Sequence, residues 1–361
     1  MHRICMQVLS KALAMIFLAM VIQPGAHAAE LGDDLAIHGY GYQSFFQGKE
    51  NNYLGSAGDG SWGYNVLDLL FTAKLDDNTK LWMQVMNTVE VSTLDWAFVD
   101  HQFTPALSGR AGQIKFPYGL YNEIFETRFL HLSNLPPSLY QDASGMRFEN
   151  YRGIAVNYKH ELGAGSLTWD IYSGEAIVPE EVGITKFGRL VGGRVTLKTP
   201  VDGLRLMFSA FSSNETSVAT GVSSTQHASA LSVDYFANSW DLKAESARNR
   251  DHAGLESSTW YIQAGYTVGE KWTPFVRYDY ITTDESQKSD PSYYQQTNTV
   301  GFDYRLNNNV SFRVEDHIIK GYALPVMSYA PAAPGTPATG VAAGTGEENW
   351  NLFAASVNFI F

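Results

Sequence analysis

Asn349-Trp350-Asn351-Leu352-Phe353-Ala354-Ala355-Ser356-Val357-Asn358-Phe359-Ile360-Phe361 closes the chain, and it sets Phe353, Ala355, Val357, Phe359 and Phe361 at every second position. Successive side chains of a strand point to opposite faces, so a two-residue apolar period makes one face of this segment uniformly greasy. In a soluble protein such a strand would be a bare edge, open to pairing with another chain. The pattern therefore asks for a fold in which the edge is closed and the apolar face is covered by something other than protein core.

The same alternation recurs through the sequence. Candidate strands are Leu35–Phe46, Tyr64–Leu75, Lys80–Thr88, Thr93–Gln102, Ser108–Phe116, Gly153–Glu161, Ser166–Gly174 and Gly188–Lys198, then Leu204–Ser212, Gln226–Phe236, Trp240–Arg248, Thr259–Val268, Trp272–Thr282, Gln296–Leu306, Val310–Lys320 and Trp350–Phe361. An even number of strands, here sixteen, is what a closed antiparallel barrel with both termini on one side requires. Hydrophobic residues make up 45% and aromatics 13% of the chain, yet after the leader no continuous apolar run is long enough to span a bilayer as a helix. Apolar residues spread one in two along strands fit a transmembrane barrel. The expected fold is all-β, a transmembrane antiparallel β-barrel of sixteen strands in a single domain, 29–361.

The first residues read differently. A basic start (Arg3, Lys11), an apolar run from Ala12 to Ile22 and small residues at Ala26-His27-Ala28 make a secretory signal peptide, 1–28, cleaved after Ala28. The only cysteine, Cys5, lies within it, so no disulfide framework is expected. Without Arg3 and Lys11 the chain carries 23 basic residues against 37 acidic ones, a net charge of −14, which argues against nucleic acid as a partner. Acidic external loops accommodate such a charge.

Barrels of this kind have short turns at one end and longer loops at the other. Asp76–Thr79, Leu162–Gly165, Thr199–Gly203, Ala237–Ser239 and Asn307–Asn309 are brief and rich in turn residues, and they fall at every second connection. Longer segments alternate with them, except that Val89–Ser92 is short where a long loop is expected. The Ala/Pro/Gly-rich run Ala330–Gly346 reads as a flexible external loop. The longest well-patterned segment is Pro117–Arg152, PYGLYNEIFETRFLHLSNLPPSLYQDASGMRFENYR. Tyr118, Tyr121, Phe125, Phe129, Leu130, Leu132 and Leu139 give it too much apolar surface for disorder, and segments of this length in compact domains are usually functional. It is expected to fold back into the lumen and narrow it. Its charged candidates are Glu123, Glu126, Arg128, His131, Asp142 and Arg147, with Tyr121 among its aromatics; packing over the barrel mouth with solvated charges is the alternative.

Strand parity then divides the wall. Where Val276, Tyr278 and Tyr280 face lipid, Arg277 and Asp279 face inward; where Phe312 and Val314 face lipid, Arg313, Glu315 and His317 face inward. A lysine or arginine on the lipid face at mid-membrane would cost roughly 2–4 kcal/mol. The same parity points Lys115, Lys159, Asp170, Arg194, Arg205, Asp234, Lys243, Glu245, Asp303 and Arg305 into the barrel. A lumen of both signs describes a water-filled passage, with Arg194, Arg205, Arg277, Arg305 and Arg313 as a basic stripe that would face acidic groups of the insert; opposite charges pairing across neighbouring strands are the alternative use of these groups. No G-x-S-x-G elbow or H-E-x-x-H pair occurs, and the nine histidines show no ligand spacing. No enzyme activity, cofactor or metal is therefore expected. The rival classes are an outer-membrane hydrolase with a serine–histidine site assembled across strands, and a surface adhesin using the barrel as a platform.

The signal peptide, the sixteen strands, the longest insert directly after the fifth strand and terminal Phe361 together resemble a general Gram-negative outer-membrane porin. Gly112-Gln113-Ile114-Lys115-Phe116-Pro117-Tyr118-Gly119-Leu120-Tyr121-Asn122-Glu123 further resembles the run entering the corresponding loop in the phosphate-selective porin branch. The resemblance implies an inward-folded constriction loop, passive passage of small hydrophilic solutes, and a homotrimer set among outer-membrane lipid and lipopolysaccharide. It also implies that the strand ending in Phe361 is read by the outer-membrane barrel assembly machinery.

Overall fold

A computed structural model describes residues 29–30, 34–53, 56, 59–88, 92–141, 144, 149–177, 185–217, 223–251, 254–324 and 347–361. The expected leader and the Ala/Pro/Gly-rich run lie outside the described residues. Sixteen long strands form the wall: β1 Leu35–Gly48, β2 Ser61–Lys74, β3 Thr79–Thr88, β4 Ser92–Thr104, β5 Leu107–Lys115, β6 Asn150–Leu162, β7 Gly165–Ile177, β8 Thr185–Lys198, β9 Leu204–Ser217, β10 Ser223–Ala237, β11 Trp240–Arg250, β12 Glu256–Tyr266, β13 Trp272–Thr282, β14 Tyr294–Arg305, β15 Val310–Gly321 and β16 Asn349–Ile360. A two-residue strand, Ala29–Glu30, pairs with the start of β1. Each long strand pairs antiparallel with its sequence neighbours, and β16 pairs with β1 from Leu352↔Gly48 to Ile360↔Tyr40. The sheet is thereby closed, and the terminal strand has no free edge.

The last residue completes that seam. Gly39 donates its N–H to the Phe361 carbonyl at 2.9 Å, and the Phe361 N–H returns to the Gly39 carbonyl at 2.8 Å. The Phe361 ring lies so close over Gly39 that a Cβ there would overlap it. A glycine is required here by close approach.

Alternation sorts the two faces as parity predicts. Val276 is 54% exposed on the outside, whereas Arg277 beside it is 4% exposed within. Two aromatic girdles flank the outer apolar band, as expected where amphipathic rings meet headgroups. Trp240 with Tyr266 (4.8 Å between centroids) and Trp272 with Tyr304 (4.4 Å) sit beside the short turns. Trp260 with Tyr278 (5.0 Å) and Phe45 with Trp62 (4.9 Å) sit toward the opposite end.

All sixteen expected strands are present, and most run further than their apolar pattern. β9 continues past Ser212 to Ser217, because beyond the membrane level both faces are polar and the ladder no longer shows as alternation. The same effect moves the boundary of the insert. Expected over 117–152, it spans 116–149, since Ile114↔Tyr151 and Gln113↔Arg152 are ladder pairs of β5 and β6. The connection from Thr88 to Ser92 is short, as its sequence indicates.

Candidate functional site

Within the insert the chain makes three short 3-10 turns, Asn122–Ile124, Arg128–Leu130 and Ser138–Tyr140. Gly119 takes φ +60, the left-handed region that glycine adopts without penalty. The buried Asn122 amide donates to the carbonyls of Phe116 (2.7 Å) and Glu149 (3.1 Å), tying the two ends of the insert together. Between those ends, inward side chains of seven strands of one arc receive the insert's backbone and side chains.

Three wall carboxylates accept its N–H groups. Glu315 on β15 accepts from Asn134 at 2.9 and 3.1 Å, Asp279 on β13 from Ser138 at 3.0 Å, and Glu245 on β11 from Leu120 at 2.9 Å. Ser209 on β9 takes the Gly119 N–H at 3.1 Å. Two wall arginines serve its carbonyls. Arg277 donates to Leu135 at 2.9 Å, and Arg313 donates to Arg128 at 3.2 Å and to His131 while also pairing with Asp303 at 3.0 Å. Side-chain contacts to Gln263 and Ser257 on β12, Ser356 on β16 and Tyr42 on β1 complete the ring. Buried N–H and carbonyl groups need such partners, each worth about 1.5–3 kcal/mol when one side is charged. The insert therefore lies inside the barrel, hydrogen-bonded to strands from β9 through β16 to β1, with its entry packed on Tyr151, Tyr172 and Leu190 of β6 to β8.

Glu245 is the most heavily used anchor. Its buried carboxylate accepts from the hydroxyls of Tyr140 (2.7 Å), Tyr261 (2.7 Å) and Ser232 (2.6 Å) as well as from the Leu120 N–H. The Tyr140 hydroxyl in turn accepts from the N–H groups of Leu120 (2.6 Å) and Tyr121 (3.0 Å). At the root of the insert Lys115 pairs with Glu126, with Glu149 at 3.1 Å and with Asp95 at 3.5 Å. One buried ammonium there binds both ends of the insert to β4 and β5.

His131 is enclosed by the insert. Its Nε2–H donates to the Ile124 carbonyl at 2.9 Å, and its Nδ1 faces the Arg128 guanidinium at 3.3 Å, an arrangement that suits the neutral ring. Burial, reinforced by Arg128, pulls this imidazole well below the ordinary histidine value. Tyr121 packs on it with centroids 4.7 Å apart. Arg128 also lies 4.8 Å from the centre of the Phe125 ring.

The remaining sequence candidates separate. Glu123 reaches the wall and pairs with Arg194 at 2.7 Å, which also pairs with Asp170 at 3.2 Å. Arg205 pairs with Asp234 on the neighbouring strand. Arg305 stands 5.8 Å from the Phe129 ring, and Lys159 pairs with Glu161 at 2.6 Å in an exposed position. Asp142 and Arg147 lie outside the described residues. Each wall arginine thus has a partner, and Arg277 and Arg313 are engaged by the insert's backbone. Residues the sequence did not single out, Asn122, Asn134, Ser138 and Tyr140, carry much of the anchoring; Glu245 and Asp279 had only their inward parity to mark them.

A hydroxyl–imidazole–carboxylate chain does occur in the wall: Thr299 Oγ1 lies 2.9 Å from His317 Nδ1, and His317 Nε2 lies 2.9 Å from Glu315 Oε1. All three residues are buried, and the carboxylate is already the acceptor for Asn134. The chain orients that anchor. Among the described residues no group of histidine and acidic side chains is arranged to hold a metal.

No family model matches the chain, and no curated protein matches it. Solved structures do resemble it. An anion-selective porin from Comamonas acidovorans aligns with 91% of this chain and 99% of its own at 13% identity and a TM-score of 0.62. OmpF of Salmonella typhi, solved in complex with daunomycin, aligns over 93% and 100% at 12% identity and a TM-score of 0.61. The trimer form of in-vitro folded OmpT from Vibrio cholerae aligns over 91% and 100% at 12% identity and a TM-score of 0.56. At such identities the shared property is the fold: a closed sixteen-stranded antiparallel barrel of the outer-membrane porin type.

Proposed function

We propose that the protein is a passive diffusion channel of the Gram-negative outer membrane, admitting small hydrophilic or ionic solutes and filtering them by size and charge beside the insert. One observation carries this reading: a closed barrel with an apolar outside and a polar inside holds a buried insert against one arc of its inner wall. On β6 to β8, away from the buried Tyr151, Tyr172 and Leu190, the inward residues Asn157, Asp170 and Arg194 are only half-buried. A channel needs such an open arc, and a pinned insert gives it a fixed width. Of the sequence candidates, Glu123 and Arg194 border the opening. Lys115, Glu126, Arg128, His131, Arg277, Arg313 and Glu315 act by holding the insert in place. Export by a signal peptide, assembly through the strand ending in Phe361, and a homotrimer surrounded by lipopolysaccharide belong to the same reading, the last supported by the trimer form of one structural neighbour.

The test is reversal potential and conductance of the purified protein in planar bilayers under a salt gradient. Discrete ohmic steps with a non-zero reversal potential are expected. A protein that folds and inserts without conducting, or that hydrolyses ester or peptide substrates instead, would overturn the reading.

A further inference from the structure

Inside a wetted barrel, free apolar surface is out of place unless something covers it. The insert and wall share one buried cluster that includes Phe116, Tyr118, Tyr121, Tyr151 and Tyr172, and its fringe is only half-buried: Leu120, Ile124 and Phe125 on the insert, Phe98 on β4 and Ala155 on β6. Phe98 and Ala155 border the open arc, so the uncovered part of this fringe faces the passage. Apolar patches rimmed by a few polar groups mark ligand grooves.

The rim has a sign. Glu123 stands between Leu120 and Ile124 with 34% of its side chain exposed, while its partner Arg194 is shared with Asp170. Two carboxylates on one guanidinium leave a surplus negative charge beside Leu120 and Ile124, while the Phe125 ring already carries the Arg128 guanidinium at 4.8 Å. Arg110 and Asp100 nearby cancel at 2.9 Å. The donors of Arg194 are engaged by Glu123 and by Asp170, so an anion would have to displace a carboxylate to bind. A cation meets Glu123 at its exposed side. Arg110 already stands 5.3 Å from the centre of the Phe98 ring, a position that such rings favour for cations.

We propose that this patch is a binding site for organic cations with an apolar body, the body resting on Leu120 and Ile124 and the charge beside Glu123. The proposal rests on the channel reading, and its test separates the two. Purified full-length protein in planar bilayers is titrated with benzyltrimethylammonium, with tetramethylammonium (same charge, no ring) and with benzenesulfonate (same ring, opposite charge), and block of the potassium chloride current is recorded. Benzyltrimethylammonium should block at a concentration about tenfold below either control, the scale of partly burying one ring against apolar side chains. Glu123→Gln should raise its half-blocking concentration about tenfold, and Ile124→Asn should bring it toward that of tetramethylammonium. Equal block by the two ammonium ions, or tighter block by benzenesulfonate, would overturn the site. The same three probes are titrated against detergent-solubilised protein by calorimetry. A protein that binds the aromatic cation selectively but passes no current would refute the channel and keep the site, and selectivity absent from both measurements would refute the site alone.

Discussion

Replacing Tyr140 by phenylalanine removes one oxygen and no volume from the node that fastens the start of the insert. The lost hydroxyl makes three bonds, to the Glu245 carboxylate at 2.7 Å and from the N–H groups of Leu120 and Tyr121 at 2.6 and 3.0 Å. The Leu120 N–H keeps Glu245 at 2.9 Å, and Glu245 keeps Tyr261 and Ser232. The Tyr121 N–H, within a buried residue, is left with no acceptor among the described residues. A lost hydrogen bond to a charged group and a stranded N–H sum to roughly 3 kcal/mol. At about 1.4 kcal/mol per factor of ten, the local opening of residues 117–126 should become about 100-fold more frequent. Hydrogen–deuterium exchange read by mass spectrometry on the folded, detergent-solubilised barrel measures this directly, since exchange of a protected segment follows its opening free energy. Exchange should rise in that peptide and stay unchanged in peptides of β13 to β16. Tyr261→Phe is the internal control: it removes a bond to the same carboxylate but strands no backbone group of the insert, so its effect should be several-fold smaller. Unchanged protection of Leu120 and Tyr121 in a normally folded Tyr140→Phe protein would refute the claim that this node holds the insert.

Three further outcomes follow from the same geometry. Val276→Arg places a charge on the outer face at mid-strand and should lower the unfolding free energy in liposomes by roughly 2–4 kcal/mol, while Asn157→Arg, on the inward face, should change it little; equal losses measured by urea titration would contradict the assignment of faces. Gly39→Val must expel the Phe361 ring from the seam, so refolding into detergent, scored by heat-modifiable gel mobility, should fall well below that of the parent chain; an unaltered yield would mean the seam tolerates an open notch. Because burial and Arg128 hold the His131 imidazole below its ordinary value, the released insert binds a proton that the docked insert refuses. Docking is then strongest above about pH 6.5 and weakens as the pH falls from there toward the depressed value, with a limiting slope of about 1.4 kcal/mol per pH unit. Exchange of residues 124–131 should therefore quicken between pH 7 and 5 once corrected for intrinsic chemistry, and His131→Gln should flatten that dependence; an equally steep response in the variant would place the titration elsewhere.

The wall was legible because a membrane imposes a local rule. Every strand crossing lipid must show apolar residues at alternate positions, so parity alone located β13 and β15 and turned Arg277, Arg313 and Glu315 inward. Where lipid ends, the rule ends too, which is why the sequence of Ser213 to Ser217 of β9 and Asn150 to Arg152 of β6 carries no strand alternation. The insert's length and aromatic content marked it as buried, and Glu123 opposite Arg194 agrees with the expectation of acidic groups facing wall arginines. What the wall charges do was not legible. Nothing in the spacing between Asn134 and Glu315, or between Leu135 and Arg277, tells that a carboxylate takes a backbone N–H and a guanidinium takes a carbonyl across the lumen. Those pairings follow from three-dimensional closure, and they turn Arg277 and Arg313 of the apparent basic stripe into anchors of the insert, while Arg194 pairs with Glu123 and Arg205 with Asp234.

Single-channel conductance of the intact protein and of a protein lacking Gly119–Ser144, measured side by side in planar bilayers, tests the central claim most directly. If the barrel conducts and the pinned insert sets its width, the intact protein gives discrete steps and the shortened one gives markedly larger steps with weaker charge selectivity. Equal conductance from two correctly folded proteins would contradict the account, as would the absence of current from both.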